Sequence, residues 1–314
     1  MRALVFDGEL RLTDIPTPVL QQGQALLKMR RGGICNTDLE LTRGYMGFSG
    51  VLGHEFVAEV VEGPSEWLGQ RVVGEINIAD GDCDMCRLGV PSQCRHRATV
   101  GINGHQGAFA EYMALTTRNL YAVPDEVSDD QAVFVEPLAA ALQILEAVHV
   151  SPRDRVVVIG AGKLGLLSAQ VLRLTGAEVQ VVVRSDHALP LLNKWRLPAL
   201  RADDLPVNQA DVVVDCTGNA AGFAAALDLV KPRGTLVLKS TYADLPQANL
   251  TRVVVDEVRV IGSRCGPFAA ALSLLRQGLI DTQAMIAMRY PFEQALSAFD
   301  RAFQPGTLKV LLDF

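Results

Sequence analysis

The stretch "DRVVVIGAGKLG", residues 154–165, constrains the fold more than any other part of the chain. A hydrophobic run ends in Gly160, Gly162 and Gly165, in G-x-G-x-x-G register, and a helical pattern follows from about Lys163 to Leu174. The first glycine permits a tight turn, the second lets the backbone approach a pyrophosphate, and the third lets helix and strand pack closely. The helix start then offers free N–H groups and the positive end of a dipole to that anion. Alone the pattern is weak, because glycine also fills plain turns. With a strand before it, a helix after it and a second strand, "EVQVVV", at the right distance, it reads as a dinucleotide-binding turn.

The text around this turn alternates in the same way. "ADVVVDCTG", a helix near 220–230, "GTLVLKS" and "VRVIGS" continue it, and near-continuous Val and Ile runs suit a parallel sheet covered on both faces. Up to about residue 122 the pattern is different: short β-type runs ("RALVF", "ALLKM", "FVAEVVE", "QRVVGEI", "FAEYMAL", "LYAVP") broken by Gly, Pro and Asp. After Gly262 come helices near 267–277 and 292–303 and a last strand, "LKVLLDF", expected to rejoin the first unit. At 314 residues and 49% hydrophobic the chain can fill two cores. No polar linker separates them, so the α/β unit is expected to be inserted in the β-rich one, with residues 1–137 and 265–314 forming one domain and 138–264 the other.

A net charge of -6 with interspersed Lys and Arg offers no basic stripe for a phosphate backbone, which argues against nucleic acid as a partner. No apolar run approaches the roughly 18 residues of a membrane helix. "MRALVFDG" lacks the order of a signal peptide. The expectation is a cytoplasmic protein whose partner is a small molecule. Of six cysteines, Cys83, Cys86 and Cys94 are packed together, a spacing that fits metal ligation better than a disulfide framework. Cys216 and Cys265 stand alone and read as buried small hydrophobes.

At the end of the second strand of a dinucleotide fold an acid usually binds the ribose hydroxyls of NAD. This chain has Arg184 followed by Ser185. A guanidinium can bind a 2′-phosphate through two parallel charge-assisted hydrogen bonds, where an acid would repel it. NADP is therefore favoured over NAD; the alternative is that Asp186 binds the ribose after a small register shift.

One of only five histidines lies in "VLGHEFVAEV", where His54 and Glu55 are adjacent. Cys35 in "GGICNTDLE" and Glu136 in "FVEPLAAAL" complete a plausible zinc set of one thiolate, one imidazole and carboxylates. Singly, each has an ordinary structural role available; the combination with a dinucleotide fold gives them weight.

"GGICNTD", "VLGHEFVAEV", "GAFAEY", "EPLAAAL", "GAGKLG" and "DVVVDCTGN" occur in the order found in the zinc-containing medium-chain dehydrogenase/reductase family, which the chain resembles over essentially its whole length. The resemblance implies a GroES-like β-rich catalytic domain split around a Rossmann coenzyme domain, and hydride transfer between an alcohol, polyol or amino alcohol and a nicotinamide dinucleotide. It makes Cys35, His54 and Glu55 catalytic-zinc ligands. Glu136 stands where the polyol and threonine branch binds zinc directly or through water. Thr37 corresponds to the hydroxyl that relays the substrate proton, and Asp38 to a residue that orients the site. Glu40 occupies the place of a frequent relay histidine. Gly160, Gly162, Lys163, Leu164, Gly165, Arg184, Ser185 and Thr217 are the candidate cofactor contacts. The family's structural zinc lobe reads C-x2-C-x2-C-x7-C; Cys83, Cys86 and Cys94 fall on its last three positions and Asp80 on its first, with His96 as the other candidate fourth ligand. Relatives are dimers or tetramers, so an oligomer is expected. Tyr45, Met46 or Phe48 either borders the substrate or belongs to the core. Two other readings remain at this point: a zinc-free quinone or enone reductase of the same superfamily, and a non-catalytic dinucleotide-binding regulator.

Overall fold

The computed structural model describes residues 1–201, 207–242 and 249–314. It divides into two compact units, Met1–Glu136 with Phe268–Phe314, and Pro137–Pro267. The sequence boundaries at 137/138 and 264/265 thus move slightly. The second shift has a packing cause: a side chain at Gly266 would come within 2.0 Å of the Ala139 carbonyl oxygen, so this stretch lies directly on the helix Val135–Ala147 and stays with it.

In the first unit the strands β1 (Gln24–Gly33), β2 (Glu55–Glu62), β3 (Arg71–Gly74), β4 (Tyr112–Thr116) and β5 (Leu120–Ala122) come from the chain's first part. The second unit contributes β6 (Arg155–Ile159), β7 (Glu178–Val183), β8 (Ala199–Arg201), β9 (Ala210–Asp215), β10 (Val230–Leu238) and β11 (Arg259–Gly262). The chain then returns to the first unit with β12 (Ile286–Pro291) and β13 (Lys309–Asp313).

The main sheet of the first unit runs β5-β3-β2-β1-β13-β12, with β4 also on β1. β13 lies antiparallel to β1, pairing Leu311 with Gly33 and Asp313 with Arg31, so the last strand does rejoin the first unit. Alternation sets its inner face: in β1 the buried Ala25, Leu27 and Met29 recur at every second position. Behind it, Phe109 meets Phe299 edge to face, at 6.1 Å between ring centroids and 88° between planes, a geometry that adds about 0.5–1.5 kcal/mol beyond its buried area. Tyr45 and Phe48 pack against this same cluster, while Met46 is 58% exposed.

The second unit holds a parallel sheet in the order β8-β7-β6-β9-β10-β11. Val156, Val158, Val181, Val213 and Val214 are buried in its centre, as expected of strands covered on both faces. Strand order reverses between β6 and β9, which opens a crevice at their carboxyl ends. No described helix is long and apolar enough to cross a membrane.

Candidate active site

Cys35 precedes the short helix α1 (Asn36–Leu41), and His54 and Glu55 enter β2. The ligand atoms of these three residues lie within 4.8 Å of one another. Asp38 ties the two segments together from a fully buried position: one carboxylate oxygen accepts from the Cys35 amide at 2.8 Å, the other from the Gly53 amide at 3.2 Å. The second oxygen also lies 3.2 Å from Nδ1 of His54, at an angle too poor for a hydrogen bond. Burial works against charge on His54, but the negative groups of Asp38 and Cys35 outweigh it and raise the imidazole's pKa well above its ordinary value. The pocket therefore favours positive charge.

Glu55 is 1% exposed and one of its oxygens pairs with the ammonium of Lys309, itself 1% exposed. The other oxygen is buried without a hydrogen-bond partner. An orphaned carboxylate oxygen beside a thiol and an imidazole suits a cation, since an unpaired buried acceptor is costly and hard–soft mixed donors are what zinc takes. The donor set thus fits a zinc ion. Glu136 stands outside this cluster; burial pushes its carboxyl up to about 7, with the charge of His54 opposing and that of Glu55 assisting. Thr37 sits next to the thiol, its Oγ1 3.8 Å from Cys35 Sγ. Glu40 is engaged with Arg43 at 2.8 Å.

Lys309 is the residue that sequence reasoning missed. Its only signal is a lysine in the apolar run "LKVLLDF". Burial lowers its pKa, but Glu55 and Cys35 more than restore it, so it is held above its ordinary value. The ring of Phe134 lies 5.6 Å from the ammonium.

Asp80, Cys83, Cys86 and Cys94 form a second set within 4.8 Å. The Cys83 sulfur is 3.5 Å from that of Cys86 and 3.8 Å from that of Cys94, and Cys86 Sγ is 3.3 Å from Asp80 Oδ1. Backbone amides point at the sulfurs: Arg95 N–H at Cys83 (3.5 Å), and those of Asp80 and His96 at Cys94 (both 3.4 Å). The Arg95 and Cys86 amides draw the Cys83 thiol down to about 7, whereas burial and Cys83 itself push Cys86 up to about 12. Of the two candidates for the fourth position, Asp80 is in the set. His96 stands behind it, with Nδ1 2.6 Å from Asp80 Oδ2, and holds that carboxyl well below the usual range. Three thiols with amide donors and a carboxylate also fit a zinc ion. All six cysteines are free thiols.

In the second unit the glycine turn has the geometry its sequence implies. A Cβ at Gly165 would lie 1.8 Å from the Gly160 carbonyl oxygen, so only glycine allows the helix α2 (Lys163–Arg173) to approach β6 this closely. A Cβ at Gly162, by contrast, would meet nothing within 4 Å: this face is open to a ligand's approach. Lys163 and Leu164 form the first turn of α2, where amides lack intrahelical partners. Arg184 and Ser185 are exposed just after β7. Thr217 lies in the loop just after β9. Its hydroxyl and amide both donate to the buried Asp215, at 2.7 and 2.8 Å, and Asp215 also accepts from Tyr242. The hydroxyl is thus used to shape the loop after β9.

Residues 21–125 match the alcohol dehydrogenase GroES-like domain family and residues 164–277 the zinc-binding dehydrogenase family. A glycine turn at the reversal of a parallel sheet, in one chain with such a β unit, makes this an NAD(P)-dependent oxidoreductase of the alcohol dehydrogenase type. The L-threonine 3-dehydrogenase of Shewanella loihica is 33% identical over 331 residues, 96% of this chain and 96% of that protein. The sorbitol dehydrogenase of Halalkalibacterium halodurans is 27% identical, over 99% of each. The chain belongs to the zinc-containing medium-chain dehydrogenase/reductase family. Among solved structures, a protein described as a zinc-binding dehydrogenase from Sinorhizobium meliloti 1021, bound to NADP, aligns with a TM-score of 0.89 at 26% identity, covering 100% of this chain and 99% of that one. An alcohol dehydrogenase from E. coli CFT073 complexed with NADH aligns at 0.92 and 25% identity, over 100% and 99%.

Proposed function

We propose that the chain is a zinc-dependent dehydrogenase that interconverts an alcohol, of the secondary, polyol or amino-alcohol kind, and its carbonyl with NADP as the preferred cofactor. The observation that carries this reading is the grouping of Cys35, His54 and Glu55 around an unpartnered buried carboxylate oxygen. A zinc ion held by these residues would supply Lewis-acid polarisation of the substrate oxygen, and the nicotinamide the hydride chemistry.

The chain's own groups do the rest. Thr37, beside Cys35, hydrogen-bonds the substrate hydroxyl and carries its proton away. Asp38 fixes the Cys35 amide and the His54 segment, which keeps the donors in register. Glu136 joins the set through water. The amides opening α2, with Gly160 and Gly162, hold the pyrophosphate, and Arg184 with Ser185 holds the 2′-phosphate. Asp80, Cys83, Cys86 and Cys94 hold a second, structural zinc. The exposed edge strand β11, with Val260 41% exposed, supports a homo-oligomer formed through this edge.

The test is zinc per chain by elemental analysis, alongside turnover of an alcohol panel with NADP and with NAD. Wild type is expected to hold two zincs, and Cys86→Ser and Cys35→Ser one each, with turnover lost only in Cys35→Ser. A zinc-reconstituted wild type with no metal and no turnover on the panel would overturn the proposal.

A further inference from the structure

We propose that Arg201 sets the cofactor preference by holding Asp186, an acid just past the end of β7, away from the adenosine ribose. This rests on the NADP reading above. In the parallel ladder of β7 and β8, Arg201 pairs with Val183, the last residue of β7, which puts it at the carboxyl ends of the strands, where dinucleotides bind. Arg201 Nη2 donates to Asp186 Oδ1 at 2.5 Å. The neighbouring Ser185 hydroxyl is engaged with Nδ1 of His187 at 2.6 Å.

An acid selects NAD by accepting hydrogen bonds from the ribose hydroxyls and by repelling a 2′-phosphate. Asp186 can do neither well while Arg201 holds it, because one oxygen is occupied and its charge is balanced. With Arg201 in place the three charged groups Arg184, Asp186 and Arg201 sum to +1; without it they sum to zero, and the acid is released. The pair is open to solvent, with Arg201 47% and Asp186 75% exposed. Such a pair contributes little to folding. Its effect falls on a ligand, and removing it leaves the fold intact.

The experiment is a fluorescence titration of NADPH and NADH against the wild type, Arg201→Ala, Asp186→Asn and the double variant. Wild type is expected to bind NADPH more tightly. In Arg201→Ala, NADPH binding weakens several-fold, because the local charge falls from +1 to zero and the freed Asp186 repels the 2′-phosphate, while NADH binding tightens several-fold. In the double variant the NADH gain disappears, because the acid responsible for it is gone. Opposite shifts for two cofactors are what a merely structural role does not produce. Equal shifts for both, an unchanged ratio, or an NADH gain that survives loss of Asp186 would overturn the role of Arg201 while leaving the NADP preference standing. A wild type that binds NADH at least as tightly as NADPH would overturn the preference itself, and this role with it.

Discussion

Replacing Lys309 by Met removes one half of an ion pair whose members are each 1% exposed. At that depth the discount for solvent and salt that applies to surface pairs does not operate. Two oxygens of Glu55 would then be buried with no hydrogen-bond partner where now there is one, and the contact of the ammonium with the Phe134 ring would be lost as well. Breaking a buried pair by deleting one partner costs about 3–5 kcal/mol, a large share of the roughly 5–15 kcal/mol that holds a domain folded. Denaturant unfolding of metal-free protein should show this loss for Lys309→Met. A cycle with Glu55→Gln and the double variant should give a coupling of about 2 kcal/mol. Zinc bound at Cys35, His54 and Glu55 supplies a second positive neighbour to the carboxylate, so the loss should shrink when the titration is repeated with zinc. A cost below about 1 kcal/mol in metal-free protein, with no coupling in the cycle, would refute the argument, since an uncompensated buried carboxylate cannot be that cheap.

Two further outcomes are expected. Burial works against charge on Asp129 and Asp130, but hydrogen bonds from Arg30 and Arg71 to the first, and from Arg289 and Gln283 to the second, hold both pKa values below the ordinary one. Their stabilisation is therefore complete above the unfolded value of about 4 and is lost as pH falls through the lower folded values; the stability gap between wild type and Arg71→Met should narrow below about pH 4, and a gap constant from neutral to acid pH would contradict it. Light scattering should find an oligomer, and Val260→Lys, which places a charge on the edge strand β11, should shift it towards monomer; a wild-type monomer would remove the edge-joining proposal.

Much of the fold was legible because its signals are local. The Val runs of β6, β7 and β9 and the glycine turn carry their own period and spacing, and the close approach at Gly165 is already implied by the third glycine. Cys35, His54 and Glu55 were found as residue types in a combination, although nothing in their spacing shows that they meet. The helix α1 has no ordinary start signal in the sequence: its N-cap is Cys35 rather than Ser, Thr, Asp or Asn, and the Asp38 carboxylate reaches back to accept from the Cys35 amide. Lys309 escaped because its partner lies 254 positions away, and a lysine in a strand reads by default as a solvated charge. The bond from the Thr217 hydroxyl to Asp215, two residues back and fully buried, is another relation that residue type alone does not show. The Asp186–Arg201 pair joins the turn after β7 to the end of β8, and although these strands are consecutive, their register, which brings the two residues together, is not written in their local pattern.

The antiparallel seam between β1 and β13 has a consequence for how the molecule comes into being. Chains emerge from the ribosome from the N-terminus and fold domain by domain as they do so. Cys35, His54 and Glu55 are all made early, yet the ammonium that neutralises Glu55 arrives only after the entire second unit has been synthesised. For that interval the nascent site carries an excess of negative charge. A cation that reaches it then meets a pocket more receptive than the finished one, so metal loading and the closure of β13 against β1 are steps whose order during synthesis can matter to the yield of intact protein.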